Sequence, residues 1–106
     1  MDIADWRKKI DEIDRRLVEL LSERAEAAHA IGRLKRERSM PVYEPDRERT
    51  VFDNVRKANP GPLPARDIVA IFERIMDMMR KIQQEEIAPQ AAAAPGDTEL
   101  ESEVND

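Results

Sequence analysis

The sequence predicts an all-α protein of three helices, and three observations carry that reading. Apolar residues recur in steps of three and four from Ile3 to Leu34, the period of a helix face and not of a strand. The seven prolines, at 41, 45, 60, 62, 64, 89 and 95, leave three proline-free windows, 1–40, 46–59 and 65–88. Proline breaks helix interiors and is tolerated in a first turn. Aromatic residues are only 4% of the chain and charged residues 39%, a balance that suits helices around a modest core.

The first helix is expected over about residues 5–38. Ile3, Trp6, Ile10, Ile13, Leu17, Leu20, Arg24, Ala27, Ile31 and Leu34 form a continuous a/d seam. The second is expected over 45–58, with Glu44 in place to cap it and Val51, Phe52, Val55 and Ala58 on one face. An Asn-Pro-Gly-Pro turn at 59–62 separates it from the third. The third helix is expected over 65–87. Asp67 suits its positive end, and Ile68, Ile71, Phe72, Ile75, Met76, Met79 and Ile82 form its apolar stripe. Residues 1–89 are read as one domain. Residues 90–106, rich in alanine and then acidic, are read as a disordered tail.

A first helix of this length spans on the order of 50 Å, whereas a compact 100-residue domain has a radius of gyration near ~13 Å. One chain cannot cover such a seam, so an intertwined homodimer built on the first helix is expected.

Composition excludes several classes. There is no cysteine for a disulfide or thiolate metal site. The beginning of the chain has no signal-peptide pattern, and no apolar run reaches a membrane span. A cytoplasmic protein without membrane contact is expected. The net charge of −5 resides in the tail, where Asp97, Glu99, Glu101, Glu103 and Asp106 stand without a cation. Residues 1–89 balance 18 basic against 18 acidic residues, which gives no footprint for nucleic acid. No nucleophilic triad, phosphate loop or metal cluster is visible.

What remains is a set of polar residues in apolar places. Arg24 holds an a position, where a permanent guanidinium needs a partner if buried. Lys35 follows eleven residues later, only ~20° away around the helix and about 16 Å along it. Gly32 lies between them among Ala25, Ala27, Ala28 and Ala30, and costs roughly 1 kcal/mol against alanine in a helix. Gln83 faces the apolar stripe of the third helix. Glu44, Arg47 and Glu48 open the second. Arg7 stands seventeen residues before Arg24, about 25 Å along a straight helix. The two can therefore share a small ligand only if Arg7 comes from a second, antiparallel chain.

Each residue also has a plainer role open to it. An a-position charge can set register and oligomer state, so Arg24 alone fits that role or an anion contact. Met76, Met78 and Met79 fit a core. His29, at an f position opposite the seam, is expected to be exposed and idle. By spacing alone the claim is an anion site in a helical dimer.

Arg7, the run IDEIDRRLVELLSER ending at Arg24, IGRLK ending at Lys35, PVYEPDRER carrying Arg47 and Glu48, NPGPL, and IFERIM followed by Gln83 occur in this order. This pattern over about 5–87 resembles the all-helical chorismate mutases. The resemblance implies an intertwined three-helix homodimer that converts chorismate to prephenate in phenylalanine and tyrosine biosynthesis. The reaction is an intramolecular Claisen rearrangement that needs no cofactor. It implies that Arg24 and the partner's Arg7 bind the two carboxylates, and that Lys35 and Gln83 donate to the ether oxygen. Glu48, with Glu44 near it, accepts from the ring hydroxyl, and Arg47 adds positive field. Met79 stands where many relatives carry serine, which implies weaker substrate binding. Glu44 stands where aspartate is common. An isochorismate pyruvate lyase on the same fold and a non-enzymatic helical regulatory module are the alternatives. Chorismate mutases of modest activity can be activated by a partner enzyme of the shikimate pathway, and the resemblance extends that expectation here.

Overall fold

The computed structural model describes residues 1–88, and the tail expected at 90–106 lies outside them. Three helices run in order: α1 (Ile3–Arg38), α2 (Pro45–Ala58) and α3 (Ala65–Ile87). The expected all-α class holds, and the described residues contain no strand.

Local chemistry sets the ends. α1 begins two residues earlier than expected because Asp2 and Asp5 form a capping box. The Asp2 carboxylate accepts from the Asp5 backbone N–H at 2.9 Å, and the Asp5 carboxylate accepts from the Asp2 N–H at 3.1 Å. The first of these bonds holds the Asp2 carboxyl below its ordinary value. α1 stops where Ser39 turns left-handed, with φ 55°, and the Met40 N–H closes on the Lys35 carbonyl at 2.8 Å. α2 opens with Pro45 in its first turn, but Glu44 at the N-cap makes no side-chain cap, contrary to expectation. Its carboxylate is drawn to Lys35 instead. In the turn before α3, the Asn59 side-chain oxygen accepts from the Gly61 N–H at 3.0 Å, and its amide donates to the Leu63 carbonyl at 2.7 Å. Gly61, at φ 80°, supplies the left-handed residue the turn requires.

α3 packs on both α1 and α2, while α1 and α2 do not pack on each other. The stripe of α1 that meets α3 is Arg24, Ala28, Gly32 and Lys35, which runs beside the a/d seam and shares only Arg24 with it. The reason is Gly32. A Cβ there would lie 3.0 Å from the Gln83 Cα and 3.0 Å from the Glu86 Cβ, so the backbone of α3 rests directly on α1. The seam itself stays open, with Ile3 68%, Leu17 51% and Leu34 45% exposed. The buried apolar side chains among the described residues are Ala28, Val51 and Met79. Ile71 and Ala58, expected on buried faces, are exposed.

The close approach also corrects the reading of His29. Once α3 sits on Gly32, Glu86 comes down on the f side of α1. Its carboxylate meets His29 Nδ1 at 2.7 Å and Arg33 Nη1 at 3.5 Å, and its backbone carbonyl accepts from Arg36 at 2.8 Å. His29 is therefore part of the contact that holds the end of α3.

Gly32→Ala tests this contact. Alanine gains roughly 1 kcal/mol of helix propensity, but overpacking costs about 1–3 kcal/mol. The nearest atom crowded is backbone, which cannot swing aside. The expected result is a folded protein with a net loss of about 0–2 kcal/mol in denaturant melts.

Candidate active site

One cavity of about 460 Å³ lies between the second half of α1, the start of α2 and the middle of α3. It gathers Arg24, Lys35, Glu44, Arg47, Glu48, Met79 and Gln83, seven of the eight residues singled out from the sequence. Arg7 is not among them. It lies in a shallow concavity at the other end of α1 with Ile3, Ala4 and Lys8, as a straight helix demands.

Lys35 is the centre of the site and is only 5% exposed. Its ammonium donates to the Val42 carbonyl at 3.0 Å and to Gln83 Oε1 at 2.9 Å, and it pairs with Glu44 Oε1 at 2.6 Å. Of the three N–H donors of an ammonium, two find acceptors, in the 39–44 loop and on α3, and the Glu44 carboxylate at the N-cap of α2 offsets the charge. Burying this charge is tolerable because it is both paired and hydrogen-bonded. Gln83, half-buried, accepts through Oε1, which leaves its NH₂ as a donor.

Arg24 is half-buried and its Nη2 donates to the Met76 thioether at 3.7 Å, a weak acceptor. Burial, and then the neighbouring charge of Arg47, push its pKa below the usual guanidinium value, yet a guanidinium stays charged in proteins. The result is a charged group on the cavity wall whose hydrogen-bond partner is a neutral thioether. Met79 is buried in the wall and presents no donor.

Arg80 is a site residue that the reading of the sequence missed. Its Nε and Nη2 donate to Glu48 Oε2 at 3.2 and 2.8 Å, and its Nη1 donates to Asp77 at 3.2 Å. Its guanidinium lies 5.4 Å from the centroid of the Tyr43 ring. The hydrogen bond to Glu48 raises its pKa above the usual value. The one signal available for it was spacing, three residues before Gln83 on the same helix face. Arg24, Lys35, Arg47 and Arg80 share the cavity with Glu44 and Glu48, four cations against two anions. Such a site suits a small dianion.

Fold and pocket thus define an all-helical protein with a cationic small-molecule cavity. A family model described as chorismate mutase type II matches residues 6–84. The chain therefore belongs to the type II chorismate mutase family. It is 32% identical over 98 residues to the bifunctional chorismate mutase/prephenate dehydratase of Aquifex aeolicus, a match covering 85% of this chain and 27% of that protein. It is 38% identical over 55 residues to the chorismate mutase of Methanocaldococcus jannaschii, covering 52% of this chain and 56% of that one. The solved chorismate mutase (form II) of Thermus thermophilus superposes with a TM-score of 0.77 at 33% identity, over 79% of this chain and 96% of that structure. The chain thus spans about a quarter of the Aquifex relative and about half of the Methanocaldococcus one.

Proposed function

We propose that this chain catalyses the rearrangement of chorismate to prephenate, on the route to phenylalanine and tyrosine, as a cytoplasmic homodimer with two sites that each draw on both chains. The observation that carries the reading is Lys35, buried and fixed on Gln83 in the same cavity as Arg24.

Chorismate is a dicarboxylate with a flexible enolpyruvyl ether. The reactive form folds that ether side chain over the ring, and holding it there removes an entropic barrier. Arg24 and the partner's Arg7 clamp the carboxylates, where a planar fork does better than a point charge. As the C–O bond breaks, negative charge grows on the ether oxygen, so donors waiting there stabilise the transition state more than the ground state. The Gln83 NH₂ is one donor. The Lys35 ammonium becomes the other by exchanging Glu44, whose side chain is 41% exposed, for the ether oxygen. Glu44 then turns out to water near Glu48, which accepts from the ring hydroxyl. The reaction is intramolecular, so the residues need only bind, fold and stabilise the substrate.

The dimer rests on the open seam. Trp6, Ile10, Ile13, Leu17 and Leu20 all lie exposed along one face of α1, a contiguous apolar stripe that a second copy would bury.

The direct test incubates the purified chain with chorismate and, separately, with isochorismate. Prephenate from chorismate supports the reading, whereas pyruvate released from isochorismate alone, or no turnover of either, overturns it. The pH profile adds a second check. Gln83 donates without first gaining a proton, so turnover should not climb as the pH falls from about 7 to about 5. A strong rise in acid would remove Gln83 from the donor role.

A further inference from the structure

Glu48 is a carboxylate in a cavity built for a dianion. It repels such a ligand unless its charge is offset, and it accepts a hydroxyl well only if an oxygen is free and aimed. Arg80 meets both needs. Its Nε and Nη2 converge on one oxygen, Oε2, at 3.2 and 2.8 Å, which leaves the lone pairs of Oε1 for another donor. The guanidinium is itself fixed from two further sides, by Asp77 and by the face of Tyr43. The two partners are largely shielded, with side-chain exposures of 28% for Arg80 and 19% for Glu48. This is unlike the Arg56–Asp53 pair on the surface of α2, at 50% and 63%. Exposed pairs contribute little, whereas a shielded two-pronged one restricts the orientation of its carboxylate.

We infer that Arg80 is a positioning residue that offsets and aims Glu48, so that Oε1 meets the ring hydroxyl and the site favours a hydroxylated ring. The inference rests on the mutase reading above. Because the Tyr43 ring that covers Arg80 belongs to the 39–44 loop, the same contact links that loop to the aim of Glu48.

The test compares chorismate with its analogue lacking the ring hydroxyl, in wild type, Arg80→Leu, Arg80→Lys, Glu48→Ala and the double variant Glu48→Ala/Arg80→Leu. Arg80→Leu should lose about 10- to 100-fold in kcat/KM on chorismate, the scale of a hydrogen bond to a charged group. On the deoxy analogue the loss should be several-fold smaller, because the unscreened Glu48 charge weakens either dianion but only chorismate also loses an aimed acceptor for its hydroxyl. Arg80→Lys keeps the charge without the fork and should recover only part of the loss. In the absence of Glu48 the Arg80 change has nothing to act through, so the double variant should match Glu48→Ala within about threefold. Equal losses on both substrates would show a merely structural role and overturn the inference. So would full additivity in the double variant, or a wild type that does not distinguish the substrates. A wild type inactive on chorismate overturns the mutase reading itself, an outcome visible before any variant is compared. Helical circular dichroism and melting follow folding, and Arg80→Lys keeps the comparison open if the leucine variant does not fold.

Discussion

Lys35→Met is expected to leave a folded helical protein that rearranges chorismate at least about 100-fold more slowly, the scale of losing one preorganised oxyanion donor. Methionine fills most of the space of the lysine stem but cannot donate. The loss should appear in kcat more than in KM, because the ether oxygen carries appreciable charge only as its bond breaks. Stability should fall as well, by a separate route. Removing the ammonium deprives its three partners, Val42, Glu44 and Gln83. Glu44 is exposed enough to turn to water, so the expected cost is about 1–3 kcal/mol in denaturant melts, that of leaving one or two polar groups short of a partner. Steady-state kinetics on chorismate and urea unfolding measure the two effects separately. A variant that keeps wild-type kcat would remove Lys35 from the chemistry.

The relation between sequence and structure differs from element to element. The bounds of α2 and α3 are legible because proline acts locally, and Pro45 and Pro64 each stand at a helix start. The start of α1 is less so, because the Asp2–Asp5 box is two acidic residues without the usual Ser or Thr signature. The convergence of Arg24, Lys35 and Gln83 is legible because Arg24 and Gln83 each break an apolar pattern and Lys35 follows Arg24 by eleven residues on nearly the same face. Which stripe of α1 receives α3 is legible only in part: Gly32 and its alanine neighbours mark room for a close helix or a ligand, but not which helix arrives. That choice turns on Gly32 and on the backbone of α3 reaching it, a contact between distant parts of the chain. The partners of His29 follow from that contact and are hidden with it. Arg80 escapes notice for a related reason. It breaks no pattern of its own, and its meaning comes from Glu48, 32 residues away.

Mixing two inactive dimers is expected to restore activity, and this is the sharpest consequence of the geometry. Arg7 and Arg24 lie about 25 Å apart along one rigid helix, and only Arg24 lines the cavity. If Arg7 serves a site, it serves that of the other chain. Arg7→Ala and Arg24→Ala homodimers should each lose about 100-fold or more in kcat/KM, since each removes a charged contact to a carboxylate from both sites. Refolded together in equal amounts, about half of the dimers should be mixed under random pairing. In a mixed dimer both lesions fall in one site, the cavity of the Arg24→Ala chain with the Arg7→Ala chain as its neighbour. The other site holds a native Arg24 and a native partner Arg7. One intact site in half of the dimers predicts recovery of about a quarter of wild-type activity, a simple count under the same pairing. The rise should be slow when native homodimers are merely mixed, because the seam must separate first. Activity that stays at the level of the single variants after co-refolding would mean that Arg7 acts within its own chain or not at all, and the shared site would then have to be abandoned.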